Sequence, residues 1–113
     1  MSKTLFEKIA AREIPAQIVF EDDHVLAFRD IAPVSPTHVL VIPIRHVATL
    51  DEAVATDPAI AADVITQCAR IAEMEGLSDG YRIVINTGGM GGQMVHHLHA
   101  HVLGGRFHSW PPG

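Results

Sequence analysis

The sequence predicts an α+β fold: about five strands in a mostly antiparallel sheet, one long helix and one or two short ones, in a single domain over residues 1–113. Three observations carry this. Short apolar runs near the front flank a tight acidic turn, which favours a hairpin and antiparallel pairing. One later segment places apolar residues on a single helical stripe, ready to lie on a sheet. Hydrophobic residues make up 48% of the chain and charged ones 19%, which suits a folded domain rather than a disordered one.

Taken in order, Thr4-Leu-Phe-Glu7 has capping-box spacing and predicts a short helix from Leu5 to about Arg12, ended by Pro15. Gln17–Phe20 and Val25–Phe28 read as two strands about the turn Glu21-Asp22-Asp23-His24. Pro33 and Pro36 make Asp30–Thr37 a loop. The continuous β-branched run Val39–Ile42 predicts a central strand buried on both faces. Asp57-Pro58 is an N-cap followed by proline at the first helical position, so the long helix runs to about Glu75 and stops at Gly76. Its stripe is Ile60, Val64, Ile65, Cys68, Ile71 and Ala72. Tyr81–Thr87 and Val95–Leu103 read as strands around the loop Gly88–Gly92, and Trp110-Pro111-Pro112-Gly113 can be neither helix nor central strand.

Composition excludes several functions. Eight Lys and Arg against thirteen Asp and Glu give a net charge of −5, which argues against a nucleic-acid polymer as partner. The single Cys68 rules out an internal disulfide and any multi-cysteine zinc site, and on the apolar stripe it reads as inert core. No apolar run approaches the ~18 residues that span a bilayer, and the mixed charges of the first thirteen residues do not form a signal peptide. No membrane partner and a cytoplasmic location are therefore expected.

Eight histidines are present, and five of them (His96, His97, His99, His101 and His108) fall within the last eighteen residues. On a strand His97, His99 and His101 share one face, neighbours about 6.6 Å apart, while Leu98, Ala100 and Val102 face the core. Beside them the glycines of Gly88–Gly92 permit close backbone approach, and consecutive amides there could form an anion nest. Imidazoles beside such a loop suit a phosphate-bearing substrate attacked by histidine. The spacing alone fits a transition-metal site equally well. His96 points off this face, His24 reads as a surface residue, His38 as a structural hydrogen-bonded one, and His108 takes no role.

His-x-His-x-His followed by two apolar residues resembles the signature of the histidine triad family of nucleotide hydrolases and transferases. The resemblance extends over nearly the whole chain: Phe20–Phe28, Asp30-Ile31, Pro36-Thr37-His38 through Pro43, Asn86, Gly91-Gly92-Gln93 and the closing Trp110–Gly113 are similar to the nucleoside phosphoramidase branch, HINT. It implies a homodimer and hydrolysis of the P–N bond of purine nucleoside 5′-phosphoramidates, releasing AMP or GMP, with no cofactor and no metal. His99 would be the nucleophile. His97 and His101 would donate to phosphate oxygens, joined by backbone amides of Gly91, Gly92 and Gln93, and His46 would orient His99. Asp30 would hold the ribose with Ile31 near the sugar, Leu5, Phe6, Ile9 and Phe28 would line the base pocket, and Asn86 would lie near the phosphate. Where this branch usually has a small hydroxyl residue after the glutamine, this chain has Met94, which leaves the leaving group open. A dinucleoside polyphosphate hydrolase, a nucleotide-binding module without turnover and a metal-binding module remain as alternatives.

Overall fold

A computed structural model describes residues 3–113. Its elements are α1 (Leu5–Ala10), β1 (Ile18–Glu21), β2 (Val25–Arg29), β3 (Thr37–Pro43), α2 (Leu50–Thr56), α3 (Pro58–Met74), β4 (Tyr81–Val84) and β5 (Ala100–Gly104). The strands form one sheet in the order β1-β2-β3-β5-β4, every neighbouring pair antiparallel. The pairing of β1 with β2 is broken by an irregularity between Ile18 and Phe20.

Both capping signals in the sequence operate. The Thr4 side chain accepts from the Glu7 amide while the Glu7 carboxylate accepts from the Thr4 amide, the two halves of a capping box. Asp57 accepts from the Ala59 amide at the start of α3, with Pro58 behind it. At the other end of α3, Gly76 takes φ +73°, a conformation that glycine adopts without Cβ strain. A bidentate pair between the Arg29 guanidinium and the Glu75 carboxylate (2.6 and 3.1 Å) ties this helix end to the end of β2.

Alternation along the central strands divides the interior in two. Val25, Ala27, Val39, Val41, Ala100 and Val102 face α3 and pack on its Ile60, Val64, Cys68, Ile71 and Ala72. Leu26, Phe28, Leu40 and Ile42 face the other way and meet Phe6 and Ile9 of α1. β3 is thus buried on both faces, as its apolar run predicts.

Three details differ from the expectation. Ile65 is 45% exposed, because the fifth residue after Ile60 rotates off the stripe; Gln67, two turns after Ile60, takes the buried position instead. The second short helix that the expectation allowed is α2, with Asp51 and Glu52 in its first turn. β5 begins at Ala100 rather than Val95, since its ladder with β3 ends at Val41 and Pro43 has no amide to extend it. β4 stops at Val84, which faces His101 at the last pair of its own ladder.

Candidate active site

His97 and His99 lie in the lead-in to β5, and His101 is on the strand itself. Residues 97–99 lie outside the ladder but keep its alternation: Leu98 enters the α3-side core with Ala100 and Val102. A bond from the Leu98 amide to the Val47 carbonyl (2.8 Å) anchors this lead-in. His97, His99 and His101 consequently sit on the α1 side, where the edge of the Phe6 ring meets His99 (centroids 4.9 Å) and His97 (6.2 Å). His99 and His101 stand 5.1 Å apart, closer than strand spacing because the rings lean together. His97 is completely buried and His99 nearly so.

Hydrogen bonds assign each proton. A carbonyl oxygen only accepts, so His97 Nε2, 2.9 Å from the Pro43 carbonyl, carries hydrogen, and its Nδ1 lone pair faces the Thr4 hydroxyl at 3.4 Å. His99 Nδ1 lies 2.7 Å from the His97 carbonyl and is likewise protonated, which leaves its Nε2 with a free lone pair. The Val34 amide donates to His38 Nδ1 (3.1 Å), so His38 holds its proton on Nε2 and gives it to His101 Nδ1 at 2.9 Å. His101 then carries its own hydrogen on Nε2. The triad is therefore one imidazole with a bare lone pair beside another with an N–H to donate.

This pattern displaces one expected residue and promotes another. His46 does not orient His99: its Nε2 donates to the His96 carbonyl (2.9 Å), and its exposed ring lies against His97. The fourth histidine is His38, which β3 brings beside His101 because Leu40 pairs with His101 and His38 stands two residues before it on the same face. The signal was present in Pro36-Thr37-His38, but only the register of β3 on β5 discloses the contact.

Burial pushes the pKa of His97 and His99 below the ordinary histidine value, only partly opposed by the carbonyl each one bonds. His38 is lowered by burial against the pull of Asp30, whose carboxylate stands 3.5 Å from Nε2. His101 is pushed down to about 4, first by burial and then by the neighbouring His99 and His38. All four rings are neutral at pH 7.

Two adjoining cavities meet at this cluster. One of about 250 Å³ is mostly apolar and includes Leu5, Phe6, Ile9, Phe28, Asp30 and Ile31 in its wall. Another of about 190 Å³ is lined by Asn86, Gly92, Met94, His99 and His101 and shares Phe6, Asp30, Leu40 and Val95 with the first. Every expected base-pocket residue lines the apolar cavity; Ile31 is almost fully exposed and stands at its rim. Leu40 and Val95 are lining residues that the sequence reading missed, since each reads as ordinary strand core.

The glycine loop departs from the expected nest. The amides of Gly92 and Gln93 are already spent inside it, on the carbonyls of Gly89 (3.1 Å) and Gly88 (3.1 Å). The Gln93 side chain is buried as a brace, donating to Ala48 and Val95 carbonyls and accepting from the Gly88 amide. Gly91 has to be glycine: a Cβ there would lie 2.3 Å from the Thr87 carbonyl oxygen.

Among the described residues one group could gather a cation, Asp30, His38 and His101, whose donor atoms lie within 4.8 Å of one another. Its proton pattern runs against ligation. A ligating histidine normally donates from its other nitrogen to an acceptor, whereas His38 Nδ1 faces the Val34 N–H. His97 cannot join the other triad rings around an ion, since both its nitrogens are committed to Pro43 and Thr4.

A neutral imidazole with a free lone pair beside an imidazole with an N–H to donate, at the end of an apolar cleft, is the arrangement of a histidine triad site, and the chain belongs to the HIT domain family, whose profile matches residues 11–108. A HIT-like protein of Synechococcus elongatus is 56% identical over 110 residues, covering 97% of this chain and 96% of its own. The protein named adenylylsulfatase HINT1 of Arabidopsis thaliana is 48% identical over 114 residues, covering 99% of this chain and 78% of its own. The crystal structure of a HIT family hydrolase from Legionella pneumophila superposes with a TM-score of 0.93 at 49% identity, covering 98% of this chain and 100% of that one.

The lowered histidine pKa values predict how stability depends on pH. Unfolded histidines bind protons below about 6.5, while His38, His97, His99 and His101 in the folded chain resist protonation until lower pH. The unfolded state therefore holds more protons in that window, and stability falls as pH drops from about 6.5 towards 4. Urea melts across pH 4 to 8 should show the midpoint level above about 7 and declining below it; a midpoint that rises on acidification contradicts the assignment.

Proposed function

We propose that the protein is a nucleotide hydrolase that cleaves the P–N bond of purine nucleoside 5′-phosphoramidates through a nucleotidyl-His99 intermediate. The observation that carries this reading is the proton pattern at His99: Nδ1 holds the hydrogen on the His97 carbonyl, so Nε2 is a nucleophile that needs no base to activate it. The apolar cavity suits a flat purine, and Asp30, at the junction of the two cavities, suits the ribose hydroxyls.

In the first step His99 Nε2 forms a bond to the α-phosphorus, and the P–N bond to the amine breaks. The departing nitrogen takes the electron pair and a proton from solvent water, which the proton released in the second step restores. His101 Nε2–H donates to a phosphoryl oxygen as charge builds there. Water then attacks phosphorus, His99 leaves with its lone pair restored, and the nucleoside monophosphate and one proton are released. Two displacements with a good leaving group in the middle replace one difficult step.

His99→Ala should lower turnover of an adenosine 5′-phosphoramidate by at least about three orders of magnitude while AMP binding, read by calorimetry, survives. Turnover by the parent protein should resist chelation. Nucleotide binding without turnover in the parent would leave a binding module, and preferential cleavage of a diadenosine polyphosphate would place the protein with the dinucleotide hydrolases.

A second reading concerns the leaving group. Met94, 90% exposed over the smaller cavity, puts a thioether beside His99 and His101 and has no proton to offer a departing amine. Sulfate leaves as a stable anion and needs none, which agrees with the name of the Arabidopsis relative. On this reading adenylyl sulfate is hydrolysed faster than phosphoramidates of basic amines. Met94→Ser should raise the amine rate about tenfold or more and leave the sulfate rate nearly unchanged; equal effects on both substrates would dismiss it.

The assembly proposed is a homodimer. β4 forms one edge of the sheet, with Tyr81 exposed, and Phe107 and Trp110 of the segment after β5 project into solvent. Arg82 on that strand donates to the carbonyl of Ser109 (2.9 Å), which fixes the tail beside the edge. Sedimentation equilibrium should return twice the chain mass, and a monomer at micromolar concentration would refute the dimer.

A further inference from the structure

We infer that Thr4, the N-cap of α1, is a positioning residue for the nucleophile, seating the His97 ring through its hydroxyl and, through the His97 carbonyl, fixing the tautomer of His99. The inference rests on the reading of His99 as nucleophile, but its geometry lies outside the cavities. The Thr4 oxygen accepts from the Glu7 amide at 3.1 Å, which leaves its hydroxyl proton to give, and His97 Nδ1 stands 3.4 Å away. On the far side of the ring, Nε2 donates to Pro43. A ring completely buried and bonded at both nitrogens has one orientation only, since turning it over would set C–H groups against Thr4 and Pro43.

Removing the Thr4 hydroxyl leaves the Nδ1 lone pair buried without its donor, which is costly. The ring can relieve that cost only by shifting, and the open direction is towards exposed His46, whose ring centroid lies 5.0 Å away. Such a shift moves the backbone of His97, and the carbonyl of that residue is what holds hydrogen on His99 Nδ1 at 2.7 Å. Once this bond loosens, hydrogen can migrate to Nε2 and the lone pair needed for attack is lost. Phe6, two residues after the cap, touches both rings and couples them to the same helix end.

A purely structural cap is separable from this role. The Glu7 carboxylate supports the same cap by accepting from the Thr4 amide at 2.9 Å, and the box hydrogen bonds it makes do not involve His97. Thr4→Val, Thr4→Ser and Glu7→Ala therefore form a set. Nitrogen-15 spectra of the histidine rings report the His99 tautomer directly, and steady-state kinetics with an adenosine 5′-phosphoramidate report its use.

In Thr4→Val the His99 signals should move from a pure Nδ1–H form towards a mixture, and kcat should fall about ten- to a hundredfold with KM changed little. Thr4→Ser should restore both, and Glu7→Ala should lower the melting temperature while leaving tautomer and kcat as in the parent. An unchanged His99 tautomer in Thr4→Val overturns the inference, as does a Glu7→Ala loss equal to that of Thr4→Val or a kcat that ignores a shifted tautomer. If the parent hydrolyses no nucleotide, the proposed activity fails, and the tautomer spectra still decide the role of Thr4.

Discussion

A buried neutral imidazole has one proton and one lone pair, and each must find a partner or leave free energy on the table. In this protein that requirement is met ring by ring: Thr4 and Pro43 for His97, the His97 carbonyl for His99, the Val34 amide and His101 for His38. Every partner but one is a backbone group or another ring, so no side-chain carboxylate is needed to set the tautomers. The arrangement leaves two ring nitrogens unmatched, the bare lone pair of His99 Nε2 and the N–H of His101 Nε2, and the rest of the site is organised around them.

That arrangement depends in turn on a sheet buried on both sides. The α3 face takes Leu98, Ala100 and Val102, so alternation alone sends His97, His99 and His101 to the opposite face. There, α1 closes over them with Phe6 and Ile9, supplying both the desolvation that keeps the rings neutral and the apolar wall of the cleft. Core packing and chemistry are two faces of the same strands. The Arg29–Glu75 pair holds the junction where Asp30 leaves β2, at the point where the two cavities meet.

Much of this was legible in the residues. Capping signals at Thr4 and Asp57 and the β-branched run of β3 are local, and local signals survive folding with little change. The triad was legible because its period matches that of a strand, even though the lead-in to β5 is not paired. What escaped depended on pairing between distant segments. His46 and His38 are both histidines near β3, and nothing in their neighbours says which one meets His101; the antiparallel register does. The loop amides escaped for a similar reason. Gly92 and Gln93 read as free donors until the turn closes on Gly88 and Gly89. Gln67 and Ile65 exchanged places through a rotation too small for the stripe to reveal.

The two edges of the sheet differ, and the difference bears on how far association can go. On the β1 side the ladder slips between Ile18 and Phe20, and a kinked strand is a poor template for another chain. On the β4 side the four residues Tyr81–Val84 pair in unbroken register with β5 and present a regular outer row of backbone groups. A molecule with two good edges can polymerise without end, each added copy exposing a fresh edge like the last. With only one, joining edge to edge by a two-fold axis consumes both templates and leaves kinked strands at the extremities. In the proposed homodimer the irregularity in β1 would act as a terminator: pairing through β4 would stop at two, with no second regular edge from which the sheet could grow into a fibre.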